Sequence, residues 1–315
     1  MMRRSSSIES TAMPAISVTD LQYVALAVPD FEAERRFFGG AWGLQEVAEQ
    51  DGKVYFAAVG SPHPYVIRLR RDAEKKTDLI GFSAASQADV DALYTQALAL
   101  GAKAISPPGP AGSPGGGYAA RFFDIDGHAV EVITGTAPHE TRALAPGEAI
   151  PTGLSHVVLH SPDVPGLAKF YEDALGFRLS DWIAQFMVFL RCNPAHHRMA
   201  ILRGPAPALN HIAFSVNTVD DLMRGLARLT GEGVKLFWGP GRHTAGNNTF
   251  SYYNSPNGNA VEYTSDLEDI DEASWVPNTY PFSPQITDRW GTGKLLNNEP
   301  PHTLGADKGL WVVPE

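Results

Sequence analysis

Three residues far apart in the chain have the types and settings to hold a metal ion. Glu262 sits between Val261 and Tyr263 in "NAVEYTS", a run that otherwise reads as a buried strand with no basic residue beside it. Burying a lone carboxylate costs on the order of several kcal/mol unless it is paired, protonated or bound to a cation. His156 in "LSHVVL" and His211 in "LNHIAF" each follow a Leu-x pair at the start of an apolar run. Two imidazoles and one carboxylate converging on one cavity leave positions open on an iron(II) ion for a substrate and dioxygen. The same donors accept manganese(II), and residue types alone do not choose between the metals. A histidine in a strand is more often an ordinary hydrogen-bonded residue, and a strand glutamate more often faces water. What favours a metal here is that the two histidines hold matching places in a repeat.

The elements that must position them come in copies. "DLQYVALAVPDFEAERRFFGGAWGL" from Asp20 lies without a gap over "GLSHVVLHSPDVPGLAKFYEDALGF" from Gly153, with Tyr23 on His156, Asp30 on Asp163 and Gly43 on Gly176. Further along, Gly127 falls on Gly258 and Glu131 on Glu262. Each half divides again into a strand, a helix and three strands. The helix after His156 shows one apolar face in Leu167, Phe170, Tyr171, Ala174 and Leu175, with Asp163 placed to cap it and Gly176 to end it. The predicted fold is α+β: four βαβββ modules paired into two domains, each an open barrel-like cup. Alternation along a strand puts every second side chain inside such a cup. His156 and His211 open modules three and four, and Glu262 lies on the closing strand of module four.

We expect a flexible tail over residues 1–17, an N-terminal non-catalytic domain over 18–136 and a linker over 137–150 with room for one helical turn. A C-terminal metal-binding domain over 151–270 and an extension over 271–315 complete the division. The extension carries Trp275, Trp290 and Trp311 among Pro, Asn and Gly, which suggests an ordered segment packed on the core, over the pocket or on a second subunit. The first residues hold two arginines but no apolar run, so a signal peptide or membrane anchor is not expected there. A formal net charge of -10 over 315 residues argues against a nucleic-acid surface. The single cysteine, Cys192, has no disulfide partner in the chain, which fits a reducing cytoplasm. The glycine-rich "AGSPGGGYAA" is followed by strand-like residues and not by a helix, so it reads as a hairpin turn and not as a phosphate loop.

The C-terminal half resembles the catalytic half of the type I extradiol ring-cleavage dioxygenases of the vicinal oxygen chelate superfamily. The resemblance spans nearly the whole chain and is carried by "LSHVVL", "NPAHHRMAIL", "LNHIAF", "GPGRHT" and "FSYYNSPNGNAVEYTSD". It implies iron(II) on His156, His211 and Glu262, a catechol-type substrate, dioxygen as second substrate, and a homo-oligomer. It also implies an acid/base histidine at His197, which takes a proton from the diol and returns one as the oxygen–oxygen bond breaks. His243 and Tyr252 match residues that contact the hydroxyl-bearing edge of the ring. His196 adjoins His197, strand alternation would turn only one of the pair inward, and the His-x-x-Ala pattern favours His197. Apolar residues such as Ile183, Phe186, Phe189 and Phe250 would receive the ring or simply form sheet core.

Two departures matter. After "GRHT" the chain reads Ala245, Gly246, Asn247 and Asn248, unlike the biphenyl-diol enzymes, so ring-substituent preference does not carry over. In the N-terminal half Tyr23 and Leu79 stand where histidines would, leaving only Glu131, so that half should hold no metal. His128, three residues before Glu131, is expected on the solvent face. Two other readings compete: a glyoxalase-like metal isomerase, which would need a second carboxylate where "HRMAILRG" has none, and a metal-free binding protein of the same fold.

Overall fold

The computed structural model describes residues 16–295 and 305–315, so most of the expected N-terminal tail lies outside the described residues. Module one is β1 (Val18–Val28), α1 (Phe31–Arg36, continued by a wider turn over Phe37–Ala41), β2 (Gln45–Gln50), β3 (Lys53–Ala57) and β4 (Ile67–Arg71). Module two is β5 (Lys76–Ala84), α2 (Gln87–Ala99), β6 (Lys103–Pro110), β7 (Tyr118–Phe123) and β8 (Ala129–Thr134). Module three is β9 (Gly153–Ser161), α3 (Val164–Leu175), β10 (Arg178–Ile183), β11 (Met187–Arg191) and β12 (Met199–Arg203). Module four is β13 (Ala208–Ser215), α4 (Val219–Gly231), β14 (Leu236–Arg242), β15 (Thr249–Asn254) and β16 (Ala260–Ser265). The architecture is α+β, with four copies of the βαβββ unit. No helix among the described residues is long and apolar enough to cross a membrane.

Each pair of modules shares one sheet. The first runs β2-β3-β4-β1-β5-β8-β7-β6 and the second β14-β15-β16-β13-β9-β12-β11-β10, to which β17 (Asn278–Tyr280) adds an edge strand. The opening strands of paired modules meet antiparallel at the centre, β1 with β5 and β9 with β13. This pairing is what brings His156 and His211 together, because both sit near the middle of the seam. Local chemistry sets the helices: the Asp163 carboxylate accepts the Gly166 N–H at 3.1 Å, and Gly176 ends α3 at φ 70°, where a Cβ would meet Ser17.

The helix-bearing faces of the two sheets share one core. Trp42, fully buried, lies against Phe214, Tyr253 and Tyr263 of the other half, and Phe82 packs on Tyr171 and Phe177. This changes the expectation for His128. Its face of the sheet is not solvent but packs on the other half: His128 is 2% exposed, its Nδ1 is 3.3 Å from Asp124, and the Tyr171 hydroxyl donates to that same carboxylate at 2.8 Å. The segment joining the halves carries a turn at Pro146 and Gly147 and no helix. The glycine-rich stretch is the hairpin connection between β6 and β7.

Candidate metal centre

His156 on β9, His211 on β13 and Glu262 on β16 converge in the second cup, each offering one donor atom within 4.8 Å of the others. Glu262 is fully buried, with Oε2 at 3.3 Å from Nε2 of His156 and 3.0 Å from Nε2 of His211. Neither approach is aligned as a hydrogen bond, and both carboxylate oxygens are left without a hydrogen-bond partner. A buried acid in that state is costly, and a shared cation removes the cost. The tautomers agree. The amide oxygen of Asn210, which can only accept, lies 2.5 Å from Nδ1 of His211, so that nitrogen carries the proton and Nε2 keeps its lone pair. Ser155 Oγ stands 3.0 Å from Nδ1 of His156 and can do the same for it. The donor set therefore fits a divalent metal. Burial disfavours the imidazolium of His156 and lowers its pKa, which keeps the ring neutral and its Nε2 free to bind a metal.

Around this centre opens a cavity of about 860 Å³. His197 lines it, its ring 4.3 Å from that of His156. Burial, then the neighbouring histidines, hold the His197 pKa far below the ordinary value. Tyr252 is the cross-strand partner of Glu262, and its hydroxyl is 3.2 Å from Nε2 of His243. The Thr287 carbonyl takes the Nδ1 hydrogen of His243 at 2.6 Å, so Nε2 accepts from the tyrosine. Burial lowers His243 to about 4 and, with the Glu262 charge, raises Tyr252 well above its usual value. Ile183, Phe186 and Phe189 give the wall its apolar character, whereas Phe250 stacks on His243 at 4.1 Å from behind.

Two features were not foreseen, and a third settles one of the placements the sequence left open. His196 and His197 lie between β11 and β12, outside regular strand, so alternation does not govern them and both are buried; His197 faces the cavity and His196 lies behind it. Asp181 on β10 meets His196 at 2.9 Å; β10 reads Arg-Leu-Ser-Asp-Trp-Ile, too polar for one more acid to stand out in the sequence. The extension closes one side of the cavity, with Phe282 to Gly291 in its wall.

The first cup lacks this centre. Its Glu131 accepts from the Tyr23 hydroxyl at 2.7 Å and from Arg121 Nε at 2.6 Å. Arg121 pairs with Glu131 as Tyr252 does with Glu262, and Leu79 pairs with Ala25 as His211 does with Val158. A guanidinium thus stands in for the cation, and Tyr23, Tyr55 and Tyr65 pack together inside the cup.

A two-module cup bearing two histidines and one glutamate on its inner wall defines a class of metalloprotein. The chain belongs to the Glyoxalase/Bleomycin resistance protein/Dioxygenase superfamily, whose model matches residues 20–132 and 153–263. Among curated proteins it is 30% identical over 279 residues to metapyrocatechase 2 of Cupriavidus necator, covering 82% of this chain and 84% of that one. It is 30% identical over 174 residues to an iron-dependent extradiol dioxygenase of Rhodococcus jostii, 49% of this chain and 58% of the relative. Among solved structures, the Mn(II)-bound glyoxalase of Novosphingobium aromaticivorans matches with TM-score 0.88 and 46% identity over 94% of this chain and 97% of that one.

Proposed function

We propose that this protein is an extradiol dioxygenase that opens a catechol-type ring with dioxygen at a ferrous centre on His156, His211 and Glu262. The observation that carries the reading is the buried, hydrogen-bond-orphaned Glu262 facing two Nε2 atoms beside an apolar cavity that also holds His197, His243 and Tyr252. Iron(II) held there would supply open positions for two adjacent diol oxygens and for dioxygen, and the one-electron chemistry that dioxygen requires. Manganese(II) suits the same donors.

The remaining work belongs to the chain. His197, neutral because buried, takes a proton from one diol hydroxyl and later returns one to the departing oxygen. Tyr252 and His243 hydrogen-bond the diol edge and fix the ring's orientation, Tyr252 staying protonated in its buried setting. Ile183, Phe186 and Phe189 hold the ring and exclude water. The carbon–carbon bond that breaks lies beside the diol, not between its hydroxyls, and the product is an open-chain semialdehyde or related acid. The domain division expected from the sequence, a homo-oligomeric state and a cytoplasmic setting form part of this reading.

The 46% likeness to a glyoxalase favours a second reading, metal-dependent isomerisation. Against it, β12 (Met199–Arg203) brings no acid into the cup, so a two-carboxylate metal site is not formed there. One experiment separates the two. Protein loaded anaerobically with iron(II) is given a panel of vicinal diols in air, and separately a glutathione hemithioacetal. Oxygen uptake with a coloured product is expected from the diols; isomerisation without oxygen uptake would replace the dioxygenase reading.

A further inference from the structure

The ring-cleavage reading leaves the two buried residues behind His197 without a task. Nδ1 of His197 lies 3.0 Å from Nδ1 of His196, and Nε2 of His196 lies 2.9 Å from Oδ2 of Asp181. Both His196 and Asp181 are fully buried. The second oxygen of Asp181 accepts the backbone N–H of Asn278 at 2.7 Å, from β17 in the extension, and Trp275 packs edge-on against His196 with ring centres 5.7 Å apart. One carboxylate, two imidazoles in series and a clamp from the extension make a directed chain.

Proton accounting fixes its resting state. A carboxylate only accepts, so Nε2 of His196 carries hydrogen. In a neutral ring Nδ1 of His196 is then an acceptor, and the hydrogen in the Nδ1–Nδ1 contact belongs to His197. Nε2 of His197 is left with its lone pair for the cavity. This is the tautomer a base needs.

We propose that Asp181 and His196 form a proton store behind His197, holding it as a base at rest and taking over the positive charge when it accepts a proton. The proposal rests on the ring-cleavage reading above. In the step, the diol O–H bond breaks and its proton binds Nε2 of His197. The Nδ1–H bond of His197 breaks as an Nδ1–H bond forms on His196. His197 ends neutral with a hydrogen on Nε2 ready to return, and His196 is an imidazolium against the Asp181 carboxylate; nothing is oxidised or reduced. Charge placement favours the transfer. One ring further back the positive charge faces the buried Asp181 carboxylate at 2.9 Å. Asp181 and His196 are positioning residues, since neither lines the cavity.

The substitution Asp181→Asn tests this sharply. The Asn278 N–H still needs an acceptor, so the amide oxygen must face Asn278 and the NH2 group must face His196. Every bond in the chain then reverses, and hydrogen is forced onto Nε2 of His197. Nitrogen-15 spectra of histidine-labelled, metal-free protein should show Nε2 of His197 without hydrogen in the native chain and with hydrogen in Asp181→Asn. In iron-loaded enzyme kcat should fall about 100-fold or more, with the diol KM and iron content unchanged. His196→Gln, which keeps hydrogen-bonding atoms but cannot hold the proton, should show the same split between kcat and KM, and it decides the matter if Asp181→Asn fails to fold. Native kcat in either variant, or hydrogen on Nε2 of His197 in the native chain, overturns the proton store. A native enzyme that cleaves no diol sinks the ring-cleavage reading instead.

Discussion

Glu262 differs from an ordinary buried acid in having no hydrogen-bond donor, and its counterpart Glu131 shows what the fold does when no metal is intended: Arg121 and Tyr23 bind it directly. Glu262→Gln keeps the shape and removes the charge. It should weaken iron(II) or manganese(II) binding by more than about 100-fold, read by metal titration, since even residues that merely support a metal ligand are worth 10- to 100-fold. The far-ultraviolet circular dichroism should not change. His243 carries a pH dependence. Burial sets its folded pKa at about 4 against 6.5 unperturbed, so between those values the unfolded chain binds a proton that the folded chain refuses. Stability must therefore fall as pH drops through that window, by on the order of 3 kcal/mol from this residue in the metal-free protein. Melting temperatures measured from pH 7 to 4 should fall less steeply in His243→Gln than in the native chain; an identical slope would remove His243 as the cause. At this scale the sequence was informative where a residue type contradicted its surroundings, as at Glu262. It was silent on Asp181 and His196, because their contact depends on the irregular path between β11 and β12.

The opening strands show how a change of role in one element propagates to its neighbour. Tyr23 on β1 faces Gly81 on β5, and a Cβ on Gly81 would lie 2.1 Å from the tyrosine ring. In the second sheet the same pairing sets His156 against Ala213, where the smaller imidazole leaves room for a methyl. Gly81→Ala should therefore destabilise the protein by about 1–3 kcal/mol, measured by denaturant unfolding, while metal binding in the second cup is kept. A Gly81→Ala cost that disappears when the substitution is made in a Tyr23→Ala background, each variant compared with its own parent, would locate the clash. The βαβββ order of each module and the convergence of His156, His211 and Glu262 were legible, because the copies align at a constant offset and a period of two fixes which side chains share a face. The side on which His128 falls was not. Alternation says that it opposes Glu131, but not whether that opposite face meets water or protein.

The two halves are bound by more than apolar packing. Glu34 on α1, fully buried, accepts from Ser255 Oγ at 2.6 Å, the Asn257 backbone and side chain at 3.1 and 2.8 Å, and Asn259 Nδ2 at 2.9 Å. These three residues form the turn leading into β16, the strand that carries Glu262. Glu34→Ala would strand several buried donors and should cost about 3 kcal/mol in unfolding free energy. It should also weaken metal affinity through looser placement of β16, whereas a loss of stability with native metal affinity would confine Glu34 to holding the halves together. The sequence by itself determined the four-module repeat, the cup that keeps its ligands and the cup that has lost them, since these follow from residue type, strand period and a constant offset between copies. Only the tertiary structure decided that the extension walls the cavity, that Asn278 clamps Asp181 behind the two histidines, and that Glu34 ties the halves beside β16. Asp181 and Asn278 are 97 residues apart and Glu34 and Asn257 are 223 apart, and no local pattern encodes which distant donor will meet which buried acceptor.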